Sequence, residues 1–125
     1  MTLLNIPPEL LELRTSLRRF IDREIKPMED GHRQEIQETG LYEGIKDDRA
    51  KVRKRSAELG FWTLHMPEAV GGGGLSYLGQ VLLEEEAASD GVILSQLESI
   101  FPVVSGPSPL YLDCTEQQRE KYLFR

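Results

Sequence analysis

Few residues of this chain are of types that do chemistry, and their spacing narrows what they can do. Four consecutive glycines, Gly71 to Gly74, form the one stretch suited to cradling a phosphate. A dinucleotide fingerprint needs Gly-x-Gly-x-x-Gly/Ala after a strand. Counted from Gly71 the last position is Ser76, and from Gly72 it is Tyr77, so both frames fail. The frame from Gly74 reaches Gly79 but continues Gln80-Val81, where a phosphate loop needs Lys and then Ser or Thr. A flexible connection between two helices is the expectation.

The other chemical candidates are scattered. His32 has no second His, Cys or paired carboxylate at ligand spacing and reads as a surface residue. His65 lies between Trp62 and Pro67 in an apolar stretch, where a hydrogen-bonded structural histidine is the ordinary finding. Cys114 is the single cysteine, which excludes an internal disulfide and suits a reducing compartment. No Gly-x-Ser-x-Gly elbow marks a nucleophile, and no metal set is spaced for binding.

Charge excludes a further class. The chain of 125 residues carries a formal net charge of −6. A surface that tracks nucleic-acid phosphates needs clustered Lys and Arg. The basic run Arg49, Lys51, Arg53, Lys54 and Arg55 is flanked by acids and reads as a solvated helix face. No stretch approaches membrane-spanning length and no targeting segment is seen, so a cytoplasmic protein is expected.

These residues must be positioned by helices, because no alternating strand pattern of useful length occurs. Pro7 and Pro8 suit a first turn. Leu10, Leu13, Leu17, Phe20, Ile21 and Ile25 follow at helical spacing, predicting an amphipathic helix that ends before Pro27. Residues 29–48 predict a charged loop with one short helix near 33–38. A second helix is expected after an Asp47 or Asp48 cap and runs to Leu59, with Val52, Ala57 and Leu59 as its stripe and Gly60 closing it. Pro67 and the glycines then turn the chain, and Ser76 caps a third helix over about 77–89.

In that third helix Leu78, Val81, Leu82 and Leu83 form one broad apolar side. Glu84, Glu85 and Glu86 spread over more than half its circumference, predicting a wet acidic face with room for one to turn inward. A fourth helix over 92–101, carrying only Glu98 as a charge, should be the most buried. Thr115 and Gln118 match a capping box that opens the last helix. The fold class expected is all-α, an orthogonal or up-down bundle of about five helices spanning 1–125.

The order of these pieces resembles a known family. Glu58-Leu59-Gly60-Phe61-Trp62, then Met66-Pro67-Glu68-x-x-Gly71-Gly72-x-Gly74-Leu75-Ser76, then the acidic helix closing at Ser89-Asp90-Gly91, are similar to the N-terminal helical domain of flavin-dependent acyl-CoA dehydrogenases. The resemblance extends from about Leu10 to Leu123. It implies α,β-desaturation of an acyl-CoA thioester, with FAD in the full-length parent and an electron-transfer partner as acceptor. It also implies a homo-oligomer whose middle β-domain and C-terminal helical domain lie outside this chain.

By position, the resemblance makes Ile93, Leu94, Leu97 and Phe101 lining residues of the acyl pocket. Such side chains recognise a hydrocarbon by area removed from water and by shape. It assigns the catalytic base to the C-terminal domain, so no catalytic residue and no metal ligand is expected here. The isolated chain is expected to be inactive and to hold no flavin tightly. Cys114 stands where the family usually has Gly. The alternatives are a stand-alone helical interaction module and a flavin-free acyl-binding domain on the same scaffold.

Overall fold

The computed structural model describes residues 5–96, 98–102 and 109–122. The first helix, α1 (Pro8–Phe20), starts at Pro7 with Pro8 inside its first turn. Its apolar stripe is buried at Leu10, Leu17 and Phe20. The helix does not stop before Pro27. It widens into a π-helical turn, Ile21–Ile25, and continues as α2 (Lys26–Asp30) with Pro27 in the first turn. Proline lacks an amide and crowds the carbonyl four residues back. Here the Lys26 amide bonds to the Ile21 carbonyl, so the ring of hydrogen bonds opens by one residue and the proline is accommodated. Ile21 and Ile25 stay fully buried through the π turn.

Helix α3 (Arg33–Thr39) ends at Gly40 in the left-handed conformation. Helix α4 (Ile45–Leu59) begins at Gly44, earlier than the Asp47 or Asp48 cap expected, and neither aspartate caps it. Asp48 instead turns inward and accepts a hydrogen bond from the buried Tyr42 hydroxyl at 3.0 Å. The inward stripe of α4 is Asp48, Val52 and Ser56, at i, i+4 and i+8. Ala57 and Leu59 are exposed, contrary to expectation. Polar residues take those inward positions because each has a buried partner: Tyr42 for Asp48, the Ile100 carbonyl for Ser56.

Beyond Gly60 the chain forms two 3-10 turns, Phe61–Thr63 and Glu68–Val70, before the glycine run. Helix α5 (Tyr77–Ala88) is capped by Ser76, whose hydroxyl accepts from the Gly79 amide at 3.1 Å. It packs on α1 where Gly79 meets Leu10: a Cβ at Gly79 would stand 2.9 Å from the Leu10 side chain. Leu83 and Ala87 carry its inner face. Leu78 and Val81 are exposed, so its apolar side is only partly used. Glu84 and Glu85 are exposed and Glu86 is half-buried.

The expected helix over 92–101 does not form among the described residues. Only a 3-10 turn, Ile93–Ser95, forms there, followed by bends. Helix α6 (Glu116–Tyr122) opens on the predicted box: the Gln118 amide donates to Thr115 Oγ1 at 3.3 Å, and the Thr115 amide to Gln118 Oε1 at 3.0 Å. With α1, the π turn and α2 counted as one rod, five helices and no strand occur among the described residues. The fold is all-α. No helix among those residues is long and apolar enough to cross a membrane.

Candidate functional site

The described residues of the segment that the family resemblance marks, 92–101, form no helical hydrogen-bond ladder, so their backbone polar groups need other partners. Side chains from two other helices supply them. Glu29 of α2 accepts the Ile93 amide at 3.1 Å on one carboxylate oxygen and the Leu94 amide at 2.9 Å on the other. Ser56 of α4 donates to the Ile100 carbonyl at 2.5 Å. Arg53 of α4 donates to the Glu98 carbonyl at 3.2 Å, and its guanidinium lies 5.1 Å over the Trp62 ring. Glu98 itself sits at φ 52, a left-handed conformation uncommon for a residue with a side chain. Within the segment, Ser95 Oγ lies 2.5 Å from the Ala87 carbonyl and 2.8 Å from that of Val92.

The four sequence-predicted lining residues fare differently. Leu94 is fully buried and belongs to the core. Ile93, beside it, is half-buried. Phe101 is half-buried and meets Phe61 edge-to-face, with ring centroids 6.3 Å apart. Leu97 lies outside the described residues. Glu29, Arg53 and Ser56 carried no signal in the sequence. Each sits on an ordinary helix, and only a segment that fails to be helical gives it a backbone to hold.

The glycine run is a packed element rather than a flexible link. The amides of residues 71 to 75 donate in turn to the carbonyls of Glu68, Pro67, Thr63, Met66 and Leu64. A Cβ at Gly72 would lie 2.1 Å from the Met66 carbonyl oxygen. No amide of the run is left for a phosphate, so these residues do not fit the pyrophosphate of a flavin or nicotinamide dinucleotide.

His32 is not an isolated surface residue. It stacks on Tyr42 with centroids 4.0 Å apart, and its ring nitrogens lie 3.7 Å from Glu35 and 3.9 Å from Asp48. Burial, and then the hydrogen bond to Asp48, push the Tyr42 phenol well above its ordinary value. No group of three His, Cys, Asp or Glu side chains suited to a metal forms among the described residues. His65 is half-buried and engaged by a neighbour, and Cys114 is half-buried with its thiol 3.8 Å from the Leu110 carbonyl.

The chain belongs to the acyl-CoA dehydrogenase family: it matches the family model described as acyl-CoA dehydrogenase, N-terminal domain, over residues 7–125. It is 39% identical over 72 residues to the mitochondrial isobutyryl-CoA dehydrogenase of Dictyostelium discoideum. That alignment covers 58% of this chain and 17% of the relative, so the chain spans a small part of the curated protein it matches. No solved structure matches the chain.

Proposed function

We propose that this chain is the N-terminal portion of a flavin-dependent acyl-CoA dehydrogenase, with segment 92–101 forming one wall of the acyl pocket. The observation that carries the reading is the family match over 7–125, joined to an apolar segment that two helices hold in a non-helical path. Ile93 and Phe101, half-buried, are the members of that segment that offer surface to a hydrocarbon. Leu94 supports them from the core, and Leu97 is kept as a lining residue on its sequence position alone.

The glycine run does not fit the pyrophosphate of a flavin, because its amides are spent on their own turn. In this reading FAD is held by the rest of the parent, which also contributes the catalytic base and the groups that bind the thioester. Acyl-CoA as substrate, an electron-transfer protein as acceptor and further copies of the chain as partners belong to the same proposal. The 125 residues alone are proposed to be inactive.

The test is the intact mass, visible spectrum and acyl-CoA turnover of the polypeptide as its own cells make it. A much longer, yellow protein that desaturates an acyl-CoA supports the reading. A colourless protein of this chain's length overturns it in favour of an interaction module. Tight acyl-CoA binding without flavin would favour the acyl-binding domain.

A further inference from the structure

We infer that Glu29, Arg53 and Ser56 are positioning residues that clamp segment 92–101 at both ends, and so set which acyl chains the pocket accepts. This rests on the proposed acyl-wall reading of the segment. The residues act on backbone atoms, not on a ligand: Glu29 takes the two amides that open the segment, and Ser56 and Arg53 donate to carbonyls near its close.

The geometry makes the clamp specific. One carboxylate receives two consecutive amides, each oxygen serving one, which fixes both the position and the rotation of the 3-10 turn. That rotation sends Leu94 into the core and leaves Ile93 half-exposed beside it. At the other end the Ser56 hydroxyl, itself fully buried, holds the Ile100 carbonyl while the Ile100 side chain is fully buried. Phe101 is thereby placed against Phe61 at a fixed angle of 84°.

Between the ends, Glu98 is held at positive φ with its carbonyl on Arg53, and Arg53 is held in turn by Trp62. A backbone conformation of that kind persists only where its surroundings over-determine it. Loosening either end moves the half-buried side chains and therefore the shape of the wall. The Arg18–Glu86 bridge and the Gly79–Leu10 contact between α1 and α5 involve none of the three clamp side chains.

The experiment uses Glu29→Gln and Ser56→Ala in the full polypeptide that carries this chain. Glu29→Gln keeps the bulk but offers one acceptor where two amides must be met. Hydrogen–deuterium exchange of the peptide spanning Ile93 and Leu94 should rise by roughly tenfold, the loss of one charge-assisted bond at a locally opening site. Exchange of peptides from α1 and α5 should not change, which shows that the variant folds. In the same proteins the ratio of kcat/KM for butyryl-CoA to that for octanoyl-CoA should shift at least about threefold, a change within reach of a small alteration in pocket shape.

Unchanged exchange at Ile93 and Leu94 overturns the clamp. Faster exchange with an unchanged chain-length ratio overturns its role in specificity. If the wild-type polypeptide turns over neither thioester, the proposed function has failed, the specificity claim falls with it, and exchange alone decides the clamp.

Discussion

Arg18 on α1 and Glu86 on α5 hold one another with Nε 2.7 Å from Oε1, and the same guanidinium donates to the Glu86 carbonyl at 2.8 Å. Its other arm reaches Asp90 at 2.8 Å. One side chain thus bridges two helices and adds a bond to a carbonyl at the end of α5 that otherwise accepts from Ser89. Replacing Arg18 by Ala should lower unfolding stability by about 2 kcal/mol, the scale of losing charge-assisted bonds that are three-quarters shielded. Arg18→Lys should recover less than half, because the three donors of an ammonium sit on one nitrogen and cannot span acceptors that Nε and both terminal guanidinium nitrogens reach separately. Urea unfolding of the three proteins checks both statements.

The same cluster carries an acid dependence. The Lys26 ammonium, first, and then the Arg18 charge hold the Asp90 carboxyl below its ordinary value of 3.8. Asp22 is likewise lowered, chiefly by Lys26. A carboxyl depressed on folding stabilises the protein above its unfolded value, and that contribution disappears as pH falls through the folded value. The melting temperature should therefore fall as the pH drops below about 4. Asp90→Asn should be less stable at neutral pH and show a shallower fall in acid. A parallel fall in both proteins would remove Asp90 from the explanation.

Two adjacent glycines separate strain from crowding. Gly71 has φ +86 with open space where a Cβ would stand, while Gly72 would press a Cβ to 2.1 Å from the Met66 carbonyl oxygen. Gly71→Ala should cost about 1–2 kcal/mol, the penalty of a left-handed residue with a side chain. Gly72→Ala should cost roughly 3 kcal/mol or more, because backbone must move and the bonds from residues 73 to 75 go with it. Thermal unfolding of the pair gives the order directly, and equal losses would mean that the run is as loose as its composition suggests.

The glycine run shows why part of the fold was legible and part was not. Helix boundaries that depend on local chemistry were readable: Ser76 before α5, Gly60 after α4 and the Thr115 box before α6 all stand where their side chains and conformations require. What composition could not show was whether four glycines are free or pressed onto another backbone, since that depends on residues 63 to 67 lying beneath them. Pro27 misled for a related reason: a π turn lets the helix through, and its buried isoleucines keep it helical.

The candidate wall was legible as an apolar stretch but not as a shape. A stretch with Glu98 as its one charge promised a buried helix over 92–101, whereas Glu29, Arg53 and Ser56 supply backbone bonds that a helix would have made for itself. Those partners are distant in sequence, so periodicity had no access to them. Asp48 repeats the lesson, because it looked like a cap and is instead the acceptor for Tyr42.

Ile93 and Leu94 are chain neighbours with opposite environments, and this gives the last prediction. Leu94 is fully buried among core residues, so Leu94→Ala should cost about 2–5 kcal/mol through lost burial and the cavity left behind. Ile93 is half-buried and should cost roughly 1 kcal/mol when truncated, because much of its surface is already in contact with water. If the segment is an acyl wall, the kinetic order is the reverse. Ile93→Ala should change the preference between short and long acyl-CoA substrates in the full polypeptide, while Leu94→Ala should act mainly on stability. Chemical unfolding and kcat/KM for two chain lengths measure the two axes separately. A Leu94 variant that alters chain preference at full stability, with Ile93 inert on both, would place the hydrocarbon on the other side of the segment.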